Sequence, residues 1–202
     1  MKNIVTTVYT VGHSNHPSEK FIDLLITNGI TAIADVRSTP FSRRNPQFNR
    51  DELATALKKH AIEYVFLGKE LGARSNDPSC YANGKVQYGR LAETSLFKAG
   101  IERVLQGAKK YRVALMCAEK EPLDCHRTLL VSRALTAQGA IIMHLMADAS
   151  IEPHEATMSR LIERVGLAHN DLFQDETALI NEACELQENK IAFATERRIE
   201  KA

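Results

Sequence analysis

The sequence predicts one α/β domain built on a mostly parallel sheet with helices on both faces. Short apolar runs rich in β-branched residues alternate along the chain with stretches whose apolar residues recur at helical spacing, and glycines end several of these stretches. Repeated strand–helix–strand units of this kind favour a three-layer arrangement of about five strands. We expect residues 1–150 to form the core and residues 151–202 to form a helical extension packed on it within the same domain.

Five segments have the composition and length of strands, and they are separated by helical patterns. The predicted strands are residues 4–11, 30–36, 62–67, 112–117 and 140–146. A long loop is expected over residues 68–89. Helices are expected to begin at Pro17, at Asn49 as an N-cap, near residue 97, at residue 127, at Glu152 and near residue 175. Gly139 and Gly166 are expected to end two of them.

The composition excludes several classes of protein. With 202 residues, of which 44% are hydrophobic and 25% charged, the chain is typical of a globular protein. Its net charge of +1 excludes a polycation, so any anion site must come from local clustering of basic residues. Four cysteines are too few for a secreted disulfide framework, and the sequence contains no signal-like segment and no long apolar run. We therefore expect a cytoplasmic protein, away from membranes, whose thiols are free or bound to metal.

The loop expected after the first strand is polar and precedes a helix. It contains two histidines and a hydroxyl, in the run Gly12-His13-Ser14-Asn15-His16. The free N–H groups and the dipole at a helix N-terminus favour anions. We therefore consider His13 a candidate for acid–base chemistry and Ser14 a candidate anion ligand. The alternative is a capped turn whose histidines face solvent.

The loop after the second strand carries four arginines and no acid over residues 37–50. Guanidinium groups bind phosphate or carboxylate through paired hydrogen bonds, which makes Arg37, Arg43 and Arg44 candidate anion ligands. Two interleaved phenylalanines suit stacking on a base. The alternative is a solvated basic loop that its phenylalanines anchor to the core.

Asp35 closes an otherwise apolar strand, where a buried carboxylate needs a partner. Because side chains two residues apart on a strand point the same way, the pattern predicts an ion pair between Asp35 and Arg37. Asp35 is also a candidate acid–base group.

A third polar segment, residues 117–127, follows the fourth strand. Cys117 ends the strand, and Asp124 is predicted to cap the next helix, so that Cys125, His126 and Arg127 would lie in its first turn. A thiol in that position has a lowered pKa and a more populated thiolate.

Three chemical interpretations compete for this segment. In the first, Cys117, Cys125 and His126 bind zinc, although their spacing is not that of a standard zinc finger. In the second, the thiols act covalently or in redox chemistry. In the third, which the sequence favours, Glu119 is the catalytic group, the cysteines pack, and Arg127 binds an anionic substrate. A buried Cys117 that serves only as a small hydrophobic residue is the structural alternative.

Together these segments resemble the bacterial and archaeal family called domain of unknown function 488. The resemblance rests on Tyr9-Thr10-Val11-Gly12-His13-Ser14, Asp35-Val36-Arg37-Ser38-Thr39-Pro40, Leu67-Gly68-Lys69-Glu70-Leu71-Gly72, Met116-Cys117-Ala118-Glu119 and Cys125-His126-Arg127, with Asp171-Leu172-Phe173 and Ile191-Ala192-Phe193 further on. It implies a cytoplasmic α/β fold, no established activity, and a single site formed by the three loops. Ala73 stands where the family often has a second glycine.

Three functions follow from these residues. The first is an enzyme with hydrolase- or transferase-like acid–base chemistry on a phosphate-bearing substrate, a nucleotide or nucleic acid, in a crevice at the carboxyl edge of the sheet. The second is a metal-binding or thiol-dependent protein centred on Cys117 and Cys125. The third is a non-catalytic adaptor that binds nucleic acid through the loop 37–50. We expect the first, but convergence of both sulfurs with a histidine around one point would place the second ahead of it.

Overall fold

The computed structural model describes residues 6–167 and 175–195, and a six-stranded sheet lies at its centre. The strands are β1 (Thr7–Gly12), β2 (Ala32–Asp35), β3 (Glu63–Phe66), β4 (Tyr81–Ala82), β5 (Lys85–Val86), β6 (Val113–Cys117), β7 (Ile141–Leu145) and β8 (Ile151–Pro153). The order across the sheet is β3-β2-β6-β1-β7-β8, and β4 pairs with β5 in a separate hairpin. The first five strands of the sheet run parallel, and β8 runs antiparallel to β7.

Helices connect most of these strands and cover both faces of the sheet. They are α1 (Ser18–Thr27), α2 (Arg50–Lys58), α3 (Gly68–Leu71), α4 (Tyr88–Glu93), α5 (Ser95–Ala108), α6 (Arg133–Ala137), α7 (His154–Val165) and α8 (Glu176–Ile191). A π-helix, Arg127–Ser132, leads directly into α6. Within the described ranges no helix combines the length and the apolar character that crossing a membrane requires.

Alternating side chains of the strands divide the core into two clusters, one on each face of the sheet. On one face, the apolar stripes of α1 and α2 pack against Ile33 and Met116. On the other face, α5, α7 and α8 pack against Ala34 and Leu115. The helical segment after residue 150 is therefore part of the main core, because Leu161 of α7 and Ala183 of α8 are fully buried in it.

The predicted α/β class and all five predicted strands are confirmed. The structure adds β8, which the sequence pattern assigned to the start of a helix at Glu152. The chain reverses over residues 146–150, where the Met146 N–H donates to the Ser150 carbonyl at 2.9 Å and Ala149 has a φ of 71°. This turn allows three residues to pair with β7 before α7 begins. The first residues of the predicted strand 4–11 and the segment Asp171-Leu172-Phe173 lie outside the described residues.

The long loop predicted over residues 68–89 is wrong in part, because it contains α3 and the β4–β5 hairpin. The hairpin turns at Asn83 and Gly84, whose φ angles are 50° and 71°. An Asn-Gly pair with both residues at positive φ is the preferred two-residue hairpin turn. The signal was therefore present in the sequence, and the two-residue strands were too short for periodicity to reveal them.

Candidate functional site

The three polar loops meet at the carboxyl edge of the sheet because β6 lies between β1 and β2. Gly12 is in register with Cys117, and Asp35 is in register with Met116. The His13 N–H donates to the Cys117 carbonyl at 2.9 Å, which continues the ladder into the loops. A Cβ atom on Gly12 would lie 1.9 Å from the carbonyl oxygen of Glu119, so this close approach requires glycine.

Two sulfurs and an imidazole nitrogen converge at this edge. The Sγ atoms of Cys117 and Cys125 and a ring nitrogen of His126 all lie within 4.8 Å of one another. The His126 Nδ1 atom is 3.8 Å from Cys117 Sγ and 3.9 Å from Cys125 Sγ. Tetrahedral zinc, with Zn–S distances of about 2.3 Å and Zn–N of about 2.0 Å, places sulfur and nitrogen about 3.5 Å apart. The three atoms are therefore spaced closely enough to share one metal ion.

A backbone carbonyl sets the orientation of the imidazole. The Nε2 atom of His126 lies 3.0 Å from the carbonyl oxygen of Val36, which can only accept, so Nε2 carries the proton and donates it. In the neutral ring Nδ1 then has the free lone pair, and this is the atom that faces the sulfurs. An outer hydrogen bond of this kind is how proteins fix the tautomer of a metal-binding histidine.

Glu119 lies against both sulfurs. Its Oε2 atom is 2.9 Å from Cys117 Sγ and 3.2 Å from Cys125 Sγ. Burial and the neighbouring charge of Cys125 raise the pKa of this carboxyl. Glu119 is therefore placed to complete the ligand set of a metal or to exchange a proton with a group bound beside the thiols.

The two thiols have opposite protonation tendencies. For Cys125, burial raises the pKa, but the hydrogen bond from Cys117 and the positive charges of Arg127 and His126 outweigh it and lower the pKa well below its usual range. The hydrogen bond to Cys125, together with burial, raises the pKa of Cys117. The pair is thus set up to hold a thiolate at Cys125 and a thiol at Cys117.

The prediction that Asp124 caps the next helix is wrong. Asp124 ends a short 3₁₀ helix, Pro122–Asp124, and its Oδ1 accepts from Arg164 and Gln187. Cys125 follows this 3₁₀ helix with an extended backbone, and its Sγ accepts the N–H of Arg127, the first residue of the π-helix, at 3.4 Å. The helix terminus therefore contacts the sulfur directly.

Arg127 supports the loop and is absent from the described lining of the cavity beside the sulfurs. Its side chain is fully buried, with Nη1 donating to the Glu119 carbonyl at 2.7 Å and Nη2 lying 3.4 Å from the Lys120 carbonyl. These contacts hold the backbone beside the two sulfurs. In this placement Nη1 and Nη2 face backbone acceptors, and Nε is buried without a partner among the described residues. This is a different role from the substrate binding that the sequence suggested.

The predicted ion pair between Asp35 and Arg37 is present, at 2.6 Å, and both side chains are buried. The Tyr64 hydroxyl also donates to Asp35, at 2.7 Å. Arg37 Nη1 lies 3.1 Å from His13 Nε2, while His13 Nδ1 donates to the Ser14 carbonyl at 2.8 Å. Burial lowers the pKa of His13 to about 4, so the ring is neutral and accepts from Arg37. Asp35 and His13 therefore orient Arg37.

A cavity of about 480 Å³ opens beside the sulfurs. Of the residues predicted from the sequence, Arg37, Cys117, Glu119 and His126 line it. Ser14, Arg43 and Arg44 are absent from the described lining, and both of these arginines are exposed. The other polar residues of the lining are Ser38, Thr39, Arg74, Tyr88 and Asp124.

Sequence reasoning missed the roles of Tyr88 and Tyr64. Tyr88 follows the undetected hairpin, so its approach to the thiols depends on a turn that the strand pattern did not reveal. Tyr64 lies on β3, where its only polar neighbour, Glu63, points to the opposite face and gives no sign of a contact with Asp35. Pairing of β3 with β2 brings its hydroxyl to Asp35.

One comparison with known proteins identifies relatives of this chain. The model of the family described as domain of unknown function DUF488 matches residues 17–134, which is more than half of the chain. No curated protein and no solved structure matches this chain. The matched range contains Asp35, Arg37 and the whole segment from Cys117 to Arg127.

Proposed function

Since the chain belongs to the family of the domain of unknown function DUF488, a description that assigns no reaction, we propose a function from the geometry of its site. Cys117, Cys125 and His126 bind a thiophilic divalent metal of the zinc class, and the metal faces the adjoining cavity. The observation that carries this proposal is the convergence of two sulfurs and one correctly oriented imidazole nitrogen within 4.8 Å.

The chemistry of the donor set fits such a metal. Thiolate and imidazole ligands select zinc and its neighbours over magnesium or calcium, which require oxygen ligands. Three protein ligands beside a cavity are typical of catalytic zinc sites, where the metal acts as a Lewis acid on a fourth ligand. Cys125 supplies a thiolate, His126 supplies the Nδ1 lone pair once the metal displaces a proton whose pKa the neighbouring Cys125 raises, and Glu119 supplies a carboxylate that can serve as the fourth ligand or accept a proton.

The same convergence changes the order of the functions considered from the sequence. An enzyme that uses Glu119, with His13 or Asp35, for acid–base chemistry on a phosphate-bearing substrate gives the two buried sulfurs a packing role only. Arg127, its expected anion ligand, is occupied by backbone carbonyls. The metal site explains both cysteines, His126 and Glu119 together, and we therefore place it first.

The test is the metal content of the full chain purified without added metal. Elemental analysis should find close to one zinc-class ion per chain, and cobalt substitution should give thiolate-to-cobalt charge-transfer absorption. The variants Cys125→Ser and His126→Gln should lose the ion. The matched control is Cys184→Ser, since Cys184 is also a buried free cysteine but contacts Met158, far from the cluster in sequence.

Two results would reject the metal site. One is metal-free protein that also fails to bind added zinc. The other is zinc that persists in both Cys125→Ser and His126→Gln at the level of Cys184→Ser.

A second candidate is a dithiol oxidoreductase, favoured by the opposed pKa shifts of the two thiols. The Cys125 thiolate would attack one sulfur of a disulfide substrate, and the other substrate sulfur would leave as a thiolate. Cys117, after losing its proton to Glu119, would then attack Cys125, form the Cys117–Cys125 disulfide and release the second substrate thiolate. Metal-free Cys117→Ser protein should accumulate a mixed disulfide with oxidised glutathione. Equal labelling of Cys125→Ser would exclude this chemistry.

A further inference from the structure

The cavity beside the sulfurs has hydrogen-bond donors in its wall that the protein does not use. Arg37 is the first. A guanidinium carries five N–H bonds. Nε donates to Asp35 Oδ1, Nη2 donates to Asp35 Oδ2 and to the Phe48 carbonyl, and Nη1 donates to His13 Nε2. Four N–H bonds are thereby used within the described residues, and the second N–H of Nη1 is left at the cavity that Arg37 lines.

The hydroxyl of Tyr88 is the second donor. Tyr88 lines the same cavity and is only 4% exposed, yet within the described parts of the chain its hydroxyl has no hydrogen-bond partner. The backbone N–H of Tyr88 bonds to Glu188, which fixes the start of α4 and with it the tyrosine. Among the described residues its oxygen is not one of the fully buried atoms without a partner, so the hydroxyl reaches the cavity, where a bound ligand can accept its hydrogen bond.

Arg74 adds a cation from a third element. Its guanidinium lies 4.6 Å from the ring centroid of Phe193, and the side chain lines the cavity. The lining also contains two acids, Asp124 and Glu119. Asp124 is paired with Arg164 at 2.7 Å, and Glu119 lies against the thiols, where a bound metal would offset its charge. Apart from these acids and the cysteine–histidine cluster, the polar side chains of the described lining can all donate, namely Arg37, Arg74, Tyr88 and the hydroxyls of Ser38 and Thr39.

We propose that this cavity binds a tetrahedral oxyanion, the phosphoryl group of a small phosphate monoester, through Arg37, Arg74 and Tyr88. The three donors come from the end of β2, the segment after α3 and the start of α4. Donors from three separate elements suit an oxyanion whose oxygens point in several directions better than a planar carboxylate. The proposal extends the metal site proposed above, since a phosphoryl oxygen held there lies beside Cys117, Glu119 and His126.

The test is equilibrium dialysis of zinc-loaded protein with inorganic phosphate and with phenyl phosphate. Tyr88→Phe deletes only the hydroxyl, and a hydrogen bond to a charged group contributes about 1.5–3 kcal/mol, so we expect binding at least about tenfold weaker. Arg74→Gln should weaken binding by a similar factor. Tyr81→Phe and Arg90→Gln are the matched controls, because neither residue lines this cavity and both donate to backbone carbonyls elsewhere.

Unchanged phosphate affinity in Tyr88→Phe overturns the proposal, as does acetate binding as tight as phosphate binding. Zinc content is measured on the same samples. Full zinc occupancy without phosphate binding rejects the anion site and leaves the metal site standing. Phosphate binding that depends on Tyr88 in protein that takes up no zinc supports the anion site and rejects the metal site.

Discussion

Acidification from pH 7 to pH 5 should destabilise this fold, because three buried histidines are held in their neutral form. Burial lowers the pKa of His13 and of His154 to about 4. Burial, with the neighbouring charge of His154, lowers the pKa of His144 to about 2. His144 lies between the Thr10 hydroxyl, at 2.7 Å, and His154 Nδ1, at 3.0 Å, as a core histidine satisfied by its neighbours.

The sign and size of this change in the free energy of unfolding follow from how many protons the folded and unfolded chains bind. Unfolded histidine has a pKa near 6.5, so below that pH the unfolded chain binds protons that the folded chain does not. Stability is therefore full above about pH 6.5 and falls as the pH drops toward the folded pKa values. At pH 5 the pH lies about 1.5 units below the unfolded pKa, so each histidine lowers the free energy of unfolding by about 2 kcal/mol. Burial raises the pKa of Glu119 and Glu188, and the hydrogen bond and charge of Cys125 raise the pKa of His126 against the effect of burial. These three groups take up protons in the folded state and reduce the net loss.

The assay is urea unfolding of the full chain at pH 7, 6 and 5, with a chelator present so that metal release does not contribute. His154→Gln should lose about 2 kcal/mol less of its unfolding free energy between pH 7 and pH 5 than the natural chain does. His60→Gln is the control, because His60 is exposed. An unfolding free energy that stays constant over this range, or a pH dependence of His154→Gln equal to that of the natural chain, would refute the reasoning.

Two further predictions concern a helix and the basic loop. Gly100→Ala should destabilise the fold by about 1–3 kcal/mol, because a Cβ there would lie 2.7 Å from Leu71 Cδ2. Gly107→Ala, in the same helix and 3.9 Å from its nearest neighbour, should instead stabilise by up to about 1 kcal/mol in thermal unfolding. The double variant Arg43→Ala/Arg44→Ala should keep its zinc content and phosphate affinity, since neither arginine lines the cavity. An oligonucleotide affinity that falls steeply with salt and is lost in this variant would favour the nucleic-acid adaptor.

Periodicity was sufficient to predict the sheet because its central strands are buried on both faces. Runs such as Val113–Cys117 have all five residues buried, and a continuous apolar run is the pattern that such strands leave in a sequence. The same signal fails for β8, whose residues are exposed or half-buried, and for the two-residue strands of the hairpin. Detection also succeeded for β3, whose four residues are exposed or half-buried, so the strands that were missed share their short length of two or three residues.

The location of the site was also predictable, since ligands of parallel sheets bind beyond the carboxyl ends of the strands. The roles within it were not. The sequence places His126 next to Cys125, but only the pairing of β2 with β6 brings the Val36 carbonyl to Nε2 and turns Nδ1 toward the sulfurs. Sequence spacing likewise cannot show that Arg127 binds the carbonyl of Glu119.

The tendency of Cys125 to be a thiolate, which the proposed metal site uses, depends on the contact between its sulfur and the backbone N–H of Arg127. Had Asp124 capped the helix, as its residue type suggests, its carboxylate would have lain beside the thiolate and raised the thiol pKa. Instead, a 3₁₀ helix precedes the π-helix, and it places the Asp124 side chain in an ion pair with Arg164. The sulfur of Cys125 thus accepts a hydrogen bond from the N–H of Arg127, and the positive charge of Arg127 lowers the pKa of the thiol. The lowered pKa of this thiol therefore depends on the turn before the helix.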